Sequence, residues 1–173
     1  HNPPEYNGYK VYWSDGGQIV PPHDEGILSE VHGVSGKIES MAKQDAVDAG
    51  LLTYIDSNID HDYLDMIDRY LLRPELLSEQ AAGTKVVYTP LHGTGAYLVE
   101  KIFNRMGVSF VTVPEQREPD GAFPTVKSPN PEEAAALKMA LDLGKIEKAD
   151  LIMGTDPDAD RLGVAVKEGE SFL

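Results

Sequence analysis

From Asn58 onward the sequence alternates between two hydrophobic periods, and that alternation restricts the possible fold more than any other feature. Short apolar runs at Lys85–Thr89, Ser109–Val113, Leu151–Met153 and Leu162–Val166 read as strands. The intervening stretches carry helical spacing. Asn58–Leu72 places Ile59, Tyr63, Met66, Ile67 and Tyr70 on one stripe, with Asp60, Asp62, Asp65 and Asp68 largely off it as a solvated face. Gly95–Met106 turns Leu98, Ile102 and Met106 inward and stops at Gly107. Asn130 is placed to cap a third helix, with Pro131 at its first position and Ala134, Leu137 and Leu141 facing inward. Strand, helix, strand, helix, strand in this order implies right-handed crossovers. The expected fold is a three-layer α/β/α domain around a mainly parallel sheet.

The first part of the chain has a different texture. Residues 1–36, rich in Pro, Gly and Tyr, hold a strand candidate at Tyr9–Trp13 and a helical pattern after Pro22 with Ile27, Leu28 and Val31 on one face. Residues 37–57, with a helix expected over Ile38–Val47 and an apolar run at Leu51–Ile55, read as a connection. The division is thus a partial preceding domain (1–36), a connection (37–57) and an α/β/α domain (58–173). The abrupt start at His1, in a turn-rich segment, gives the expectation that a longer chain precedes it.

Composition narrows the possible functions. A net charge of -14 argues against a nucleic-acid or anionic-membrane surface, because phosphate backbones attract basic patches. With no cysteine there are no disulfides and no thiolate metal sites, which fits a cytoplasmic location. No apolar stretch approaches the length of a membrane span.

The stretch Gly154–Gly163, GTDPDADRLG, sets Asp156, Asp158 and Asp160 on alternate positions of one loop, with Arg161 beside them. Alternate side chains of an extended segment point the same way, so three carboxylates converge and repel unless a cation lies among them. Oxygen-only ligands suit magnesium, manganese or calcium and disfavour zinc. An EF-hand does not fit, since the loop has Arg161 where glycine and Lys167 where glutamate would be needed. An acidic surface turn is the bland alternative.

Two further segments carry candidate chemistry. TPLHGTG, Thr89–Gly95, lies between a strand and a helix, where backbone NH groups could receive an anion or simply form a tight turn. Its His92 could donate to a phosphate or brace the turn. HNPPEYNGYK, His1–Lys10, gathers Asn2, Asn7, Gly8 and Lys10 in a turn. Lys10 reads as a solvated edge residue unless the turn faces an active site, where burial could lower its pKa for base work.

Four motifs in order resemble those of the α-D-phosphohexomutases: HNPPEYNGYK, TPLHGTG, FPTVKSPNPEE (Phe123–Glu133) and GTDPDADR. NGYKVYW is most similar to the phosphoglucomutase branch. The resemblance covers nearly the whole chain and implies reversible phosphoryl transfer between O1 and O6 of a hexose phosphate, through a phosphoserine and a hexose bisphosphate. Glucose is the favoured sugar, with mannose or a pentose as alternatives. On this comparison Asp156, Asp158 and Asp160 bind Mg²⁺, Arg161 lies beside the phosphoserine and Lys10 is the general acid or base. His1 and Asn2 line the nucleophile loop, and His92 lies near the same cleft. The family serine would stand immediately before His1. The resemblance therefore implies a fragment, inactive alone, whose partners are the missing domains of its parent chain. A non-catalytic metal- and anion-binding module remains the alternative. A haloacid-dehalogenase-type phosphatase fits less well, because D-x-D-x-T wants threonine or valine where Asp160 stands.

Overall fold

A computed structural model of the chain describes residues 9–36, 38–55, 57–169 and 171–173. The chain divides into two compact units, one spanning Asn7–Ser57 and one holding Asn58–Leu173.

In the first unit, the strand expected at Tyr9–Trp13 is only a single antiparallel bridge, Tyr12 to Gln18. A turn closes it, with Trp13 NH donating to Gly17 O at 3.0 Å. The helical pattern after Pro22 is α1, His23–Gly33, and the helix expected over Ile38–Val47 shortens to α2, Lys43–Asp48. Ala42 is extended, which blocks earlier initiation. The run Leu51–Ile55 forms no element. None of the described residues from 9 to 55 is buried.

The second unit contains α3 (Ser57–Arg69), α4 (Pro74–Gln80), a 3₁₀ turn (Ala81–Gly83), β1 (Lys85–Thr89), α5 (Ala96–Met106), β2 (Ser109–Thr112), α6 (Pro114–Arg117), α7 (Lys138–Glu147), β3 (Leu151–Thr155), β4 (Leu162–Glu168) and β5 (Ser171–Phe172). The sheet runs β2-β1-β3-β4-β5. β2, β1 and β3 are parallel, with Val87 opposite both Val111 and Ile152. β4 and β5 then add antiparallel, so the sheet is mixed rather than uniformly parallel. The cause is the length of the β3–β4 connection, because parallel return needs a crossover of a dozen or more residues and Asp156–Arg161 is far too short.

Alternation along β1 feeds two cores. Val87 joins Val113, Ala140, Ala149, Ile152 and Ala165 beneath α7, while Val86 and Tyr88 join Ala96 and Phe103 beneath α5. This is the expected three-layer arrangement. Two faces are rotated from their sequence-based placement, however. On α5 the buried residues are Ala96 and Phe103, the latter set edge-on to Tyr88 and tilted against Phe110, and Leu98, Ile102 and Met106 are half-buried. On α3 the buried residue is Leu64, and the aspartates are not a free solvated face. Lys101 donates to Asp60 at 2.8 Å, and Arg105 pairs with Asp65 and with Asp68. Charge pairing with α5 turned α3 toward its acidic side.

The helix expected from Asn130 starts later, at Lys138. Asn130 does cap, since its Oδ1 accepts from Glu132 NH at 3.1 Å, but what it caps is a run of turns. Those turns hold Pro131 and Leu137 over Gly154 and Gly163 of the sheet, a contact that a continuous helix from Asn130 would forfeit. The segment 114–130 opens with a short helix, α6.

Candidate metal centre

The β3–β4 connection is a hairpin loop. Thr155 pairs with Leu162 at its base, leaving Asp156-Pro157-Asp158-Ala159-Asp160-Arg161 as the tip. Asp156 is fully buried, and its Oδ1 accepts from Arg161 NH at 3.0 Å across the loop. Ala159 NH donates to Asp156 O at 3.0 Å, and Ala159 takes a positive φ of 59°, so the backbone folds tightly between the last two aspartates. Asp158 and Asp160 are exposed.

One oxygen from each of Asp156, Asp158 and Asp160 lies within 4.8 Å of the others, and the three could hold a metal ion. Opposite ligands of an octahedral Mg²⁺ stand about 4.2 Å apart, and those of Ca²⁺ about 4.6–5.2 Å. The donors are therefore already near coordination spacing, and any closure falls to the two exposed side chains. The donor chemistry is carboxylate oxygen throughout, which suits a hard divalent cation. Arg161 Nε sits 4.0 Å from Asp160 Oδ1, at the outer limit of an ion pair.

TPLHGTG packs directly against this hairpin. Thr94 NH and Thr94 Oγ1 both donate to Pro157 O, at 2.8 and 3.1 Å. A Cβ on Gly93 would stand 2.2 Å from Pro157 Cα, and one on Gly95 would stand 2.5 Å from Tyr88 Oη and 2.8 Å from Thr155 Oγ1. These glycines exist to let the two loops touch. The other loop amides are engaged as well: Leu91 NH donates to Thr89 Oγ1, His92 NH to Gln116 O and Gly93 NH to Pro90 O. The segment therefore spends these amides on holding its own shape and its neighbour rather than on an anion. Arg117, which shares a pocket with Gly93, Thr94, Ala96 and Tyr97, is taken by Glu100 and Glu118.

His92 is buried, with φ of 61°. Its Nε2 lies 2.8 Å from Thr125 Oγ1, which also accepts from Gln116 Nε2 at 2.9 Å. Gln116 Oε1 in turn accepts from Thr89 Oγ1 at 2.6 Å. This chain of four polar side chains ties the Phe123–Glu133 segment to TPLHGTG, and neither Thr125 nor Gln116 stood out in the sequence. Beside it, Tyr88 Oη and Thr155 Oγ1 are 2.7 Å apart at the root of the hairpin. Burial pushes the Tyr88 phenol up to about 12, against the opposing pull of its bond to Thr155.

Lys10 is exposed and belongs to the first unit. His1 and Asn2 lie outside the described residues. Of the residues singled out from the sequence, the structure brings together Asp156, Asp158, Asp160 and Arg161. His92 is joined to them only indirectly, through Gly93, Thr94 and Pro157. The signal for that junction was in the sequence as the glycines at 93 and 95, but their partner could not be read there.

Comparison with known proteins fits this arrangement. Residues 61–169 match the family described as phosphoglucomutase/phosphomannomutase, alpha/beta/alpha domain II, and residues 1–36 match its alpha/beta/alpha domain I. A phosphoribomutase of Saccharomyces cerevisiae is 38% identical over 99% of this chain and 29% of its own length. A phosphopentomutase of Homo sapiens is 38% identical over 97% and 28%, and a probable phosphomannomutase of Haemophilus influenzae is 39% identical over 98% and 34%. The chain thus spans about a third or less of the length of these relatives. With most of its residues, the acidic hairpin included, inside the matched second domain, the chain belongs to the phosphoglucomutase/phosphomannomutase family.

Proposed function

We propose that this chain supplies the metal-binding part of a phosphosugar mutase, a cytoplasmic enzyme that moves a phosphoryl group between two hydroxyls of one sugar phosphate through a phosphoserine and a bisphosphate. The observation that carries the reading is the set of three carboxylate oxygens within 4.8 Å at the tip of one hairpin. Asp156, Asp158 and Asp160 would hold Mg²⁺, which when bound neutralises charge on the phosphoryl group in a transfer governed by positioning and electrostatics. Arg161 fixes the buried Asp156 through its backbone and offers its guanidinium beside the phosphoserine. Lys10 is assigned the proton transfer at the sugar hydroxyl, and His1 and Asn2 the wall of the nucleophile loop. His92 acts from behind, as a brace.

The substrate class is a sugar phosphate. The relatives carry names for ribose, pentose and mannose specificity, so a pentose phosphate stands beside glucose phosphate as substrate. A non-catalytic anion-binding module is disfavoured by the engaged amides of Leu91, His92, Gly93 and Thr94. The test is a coupled assay of the whole mutase on glucose 1-phosphate, ribose 1-phosphate and mannose 1-phosphate, with and without Asp158→Asn. Removing a metal ligand should lower turnover by at least the roughly 10- to 100-fold typical of groups that merely orient one. Undiminished turnover would refute the reading.

A further inference from the structure

We propose that Thr94 and Gly93 are positioning residues for the metal hairpin, acting on Asp158 through the Pro157 carbonyl. The inference rests on the reading of that hairpin as a metal site and adds the part of the fold that sets its geometry. Pro157 O accepts two hydrogen bonds from one residue, Thr94 NH at 2.8 Å and Thr94 Oγ1 at 3.1 Å. That carbonyl belongs to the peptide leading into Asp158, so fixing its direction fixes the plane from which the Asp158 side chain departs. Asp156 is oriented differently, by burial and by the Arg161 NH. Asp158 is exposed, and the peptide that leads into it is held by Thr94.

Gly93 makes the grip possible. A Cβ there would lie 2.2, 2.5 and 2.7 Å from the Cα, O and C of Pro157, all backbone atoms that cannot swing aside. Any larger residue must push the hairpin away from Thr94. Behind the contact, Thr94 is anchored by its neighbours, because the buried His92 is held at its NH by Gln116 O, at its carbonyl by Asp120 NH and at its ring by Thr125. The ligand set is thereby referred to the domain core through a short run of rigid contacts, the arrangement a site needs if its ligands are to be placed before the ion arrives.

The test is Mn²⁺ binding to the chain, followed by electron paramagnetic resonance, together with thermal melting in the absence of metal. Thr94→Val should weaken Mn²⁺ binding about fivefold, the worth of one hydrogen bond. Thr94→Ser, which keeps the hydroxyl, should restore it to within about twofold of the unsubstituted chain, a rescue that a purely packing role would not give. Gly93→Ala should weaken binding by about tenfold or more, because backbone must move. Thr94→Val and Gly93→Ala binding as tightly as the unsubstituted chain, while Asp158→Asn weakens binding, would overturn the positioning role and leave the metal site standing. Failure of Thr94→Ser to rescue would overturn the role of the hydroxyl. Binding that is absent from the unsubstituted chain, or unchanged by Asp158→Asn, would remove the metal site and this inference with it.

Discussion

Gly154 and Gly163 face one another across the β3–β4 ladder, and Pro131 covers both. The two glycines that bracket the acidic loop in the sequence therefore serve the sheet beneath it.

Their replacement should show an asymmetry. A Cβ at Gly163 would meet the Pro131 carbonyl oxygen at 2.3 Å, a backbone atom, whereas one at Gly154 would meet Leu137 Cδ2 at 2.4 Å, the end of a side chain. Gly163→Ala is expected to destabilise the domain by about 2–3 kcal/mol, and Gly154→Ala by about 1 kcal/mol as Leu137 shifts. Urea denaturation of both variants checks this, and equal losses would contradict it.

The buried Gln116 is expected to be intolerant of apolar replacement. Its amide satisfies Thr89 on one side and Thr125 on the other. Gln116→Met fills similar space but leaves the Thr89 hydroxyl without its acceptor and Thr125 without one of its two partners, at about 1–3 kcal/mol. The same variant should raise amide exchange in residues 118–127, measured by hydrogen exchange, because Thr125 loses one of the two side chains that hold it.

Acid should weaken the contact between α5 and α6. The hydrogen bond from Arg117 holds the Glu100 carboxyl below its ordinary value of 4.5, with a further bond from Thr112. A carboxyl with a depressed folded-state pKa contributes stability that is present above its unfolded value and lost as pH falls through the folded one. Stability should therefore decline below about pH 4.5, and Glu100→Gln should flatten that decline while lowering stability at neutral pH. Denaturation series at pH 3, 4, 5 and 7 measure it.

Tyr88 gives the opposite limb. Its phenol is raised from 10.0 to about 12 by burial, so the unfolded chain ionises first as pH rises. The stabilisation is complete below pH 10 and is lost as pH climbs through about 12, a swing of about 2–3 kcal/mol. Tyr88→Phe should remove that part of the alkaline loss, at the expense of about 1 kcal/mol at neutral pH for the bond to Thr155. Circular dichroism across pH 8–12 distinguishes the two chains.

Much of this was legible in the sequence. The β1, β2 and β3 runs and the αL stop at Gly107 follow from local pattern, and the three aspartates declared themselves by their spacing. What sequence could not give was long-range. Asp60, Asp65 and Asp68 of α3 are paired with Lys101 and Arg105 of another helix, some 40 residues away. The helix after Asn130 was delayed because Pro131 is needed against a glycine 32 positions later. His92 offered two meanings, and its contact with the Thr125 hydroxyl, from a different loop, is one that local pattern does not contain.

The hairpin topology of the acidic loop also sets an order of assembly. Thr155 and Leu162 are neighbours in sequence as well as in space, so closing that loop loses little chain entropy, and a hairpin of this kind forms within microseconds. Its brace comes from Thr94, 63 residues earlier, and cannot arrive until β1 and β3 have found each other. The three carboxylates are thus gathered into one loop early and given their final aim late, so metal affinity should appear in a refolding experiment only after the parallel strands have paired.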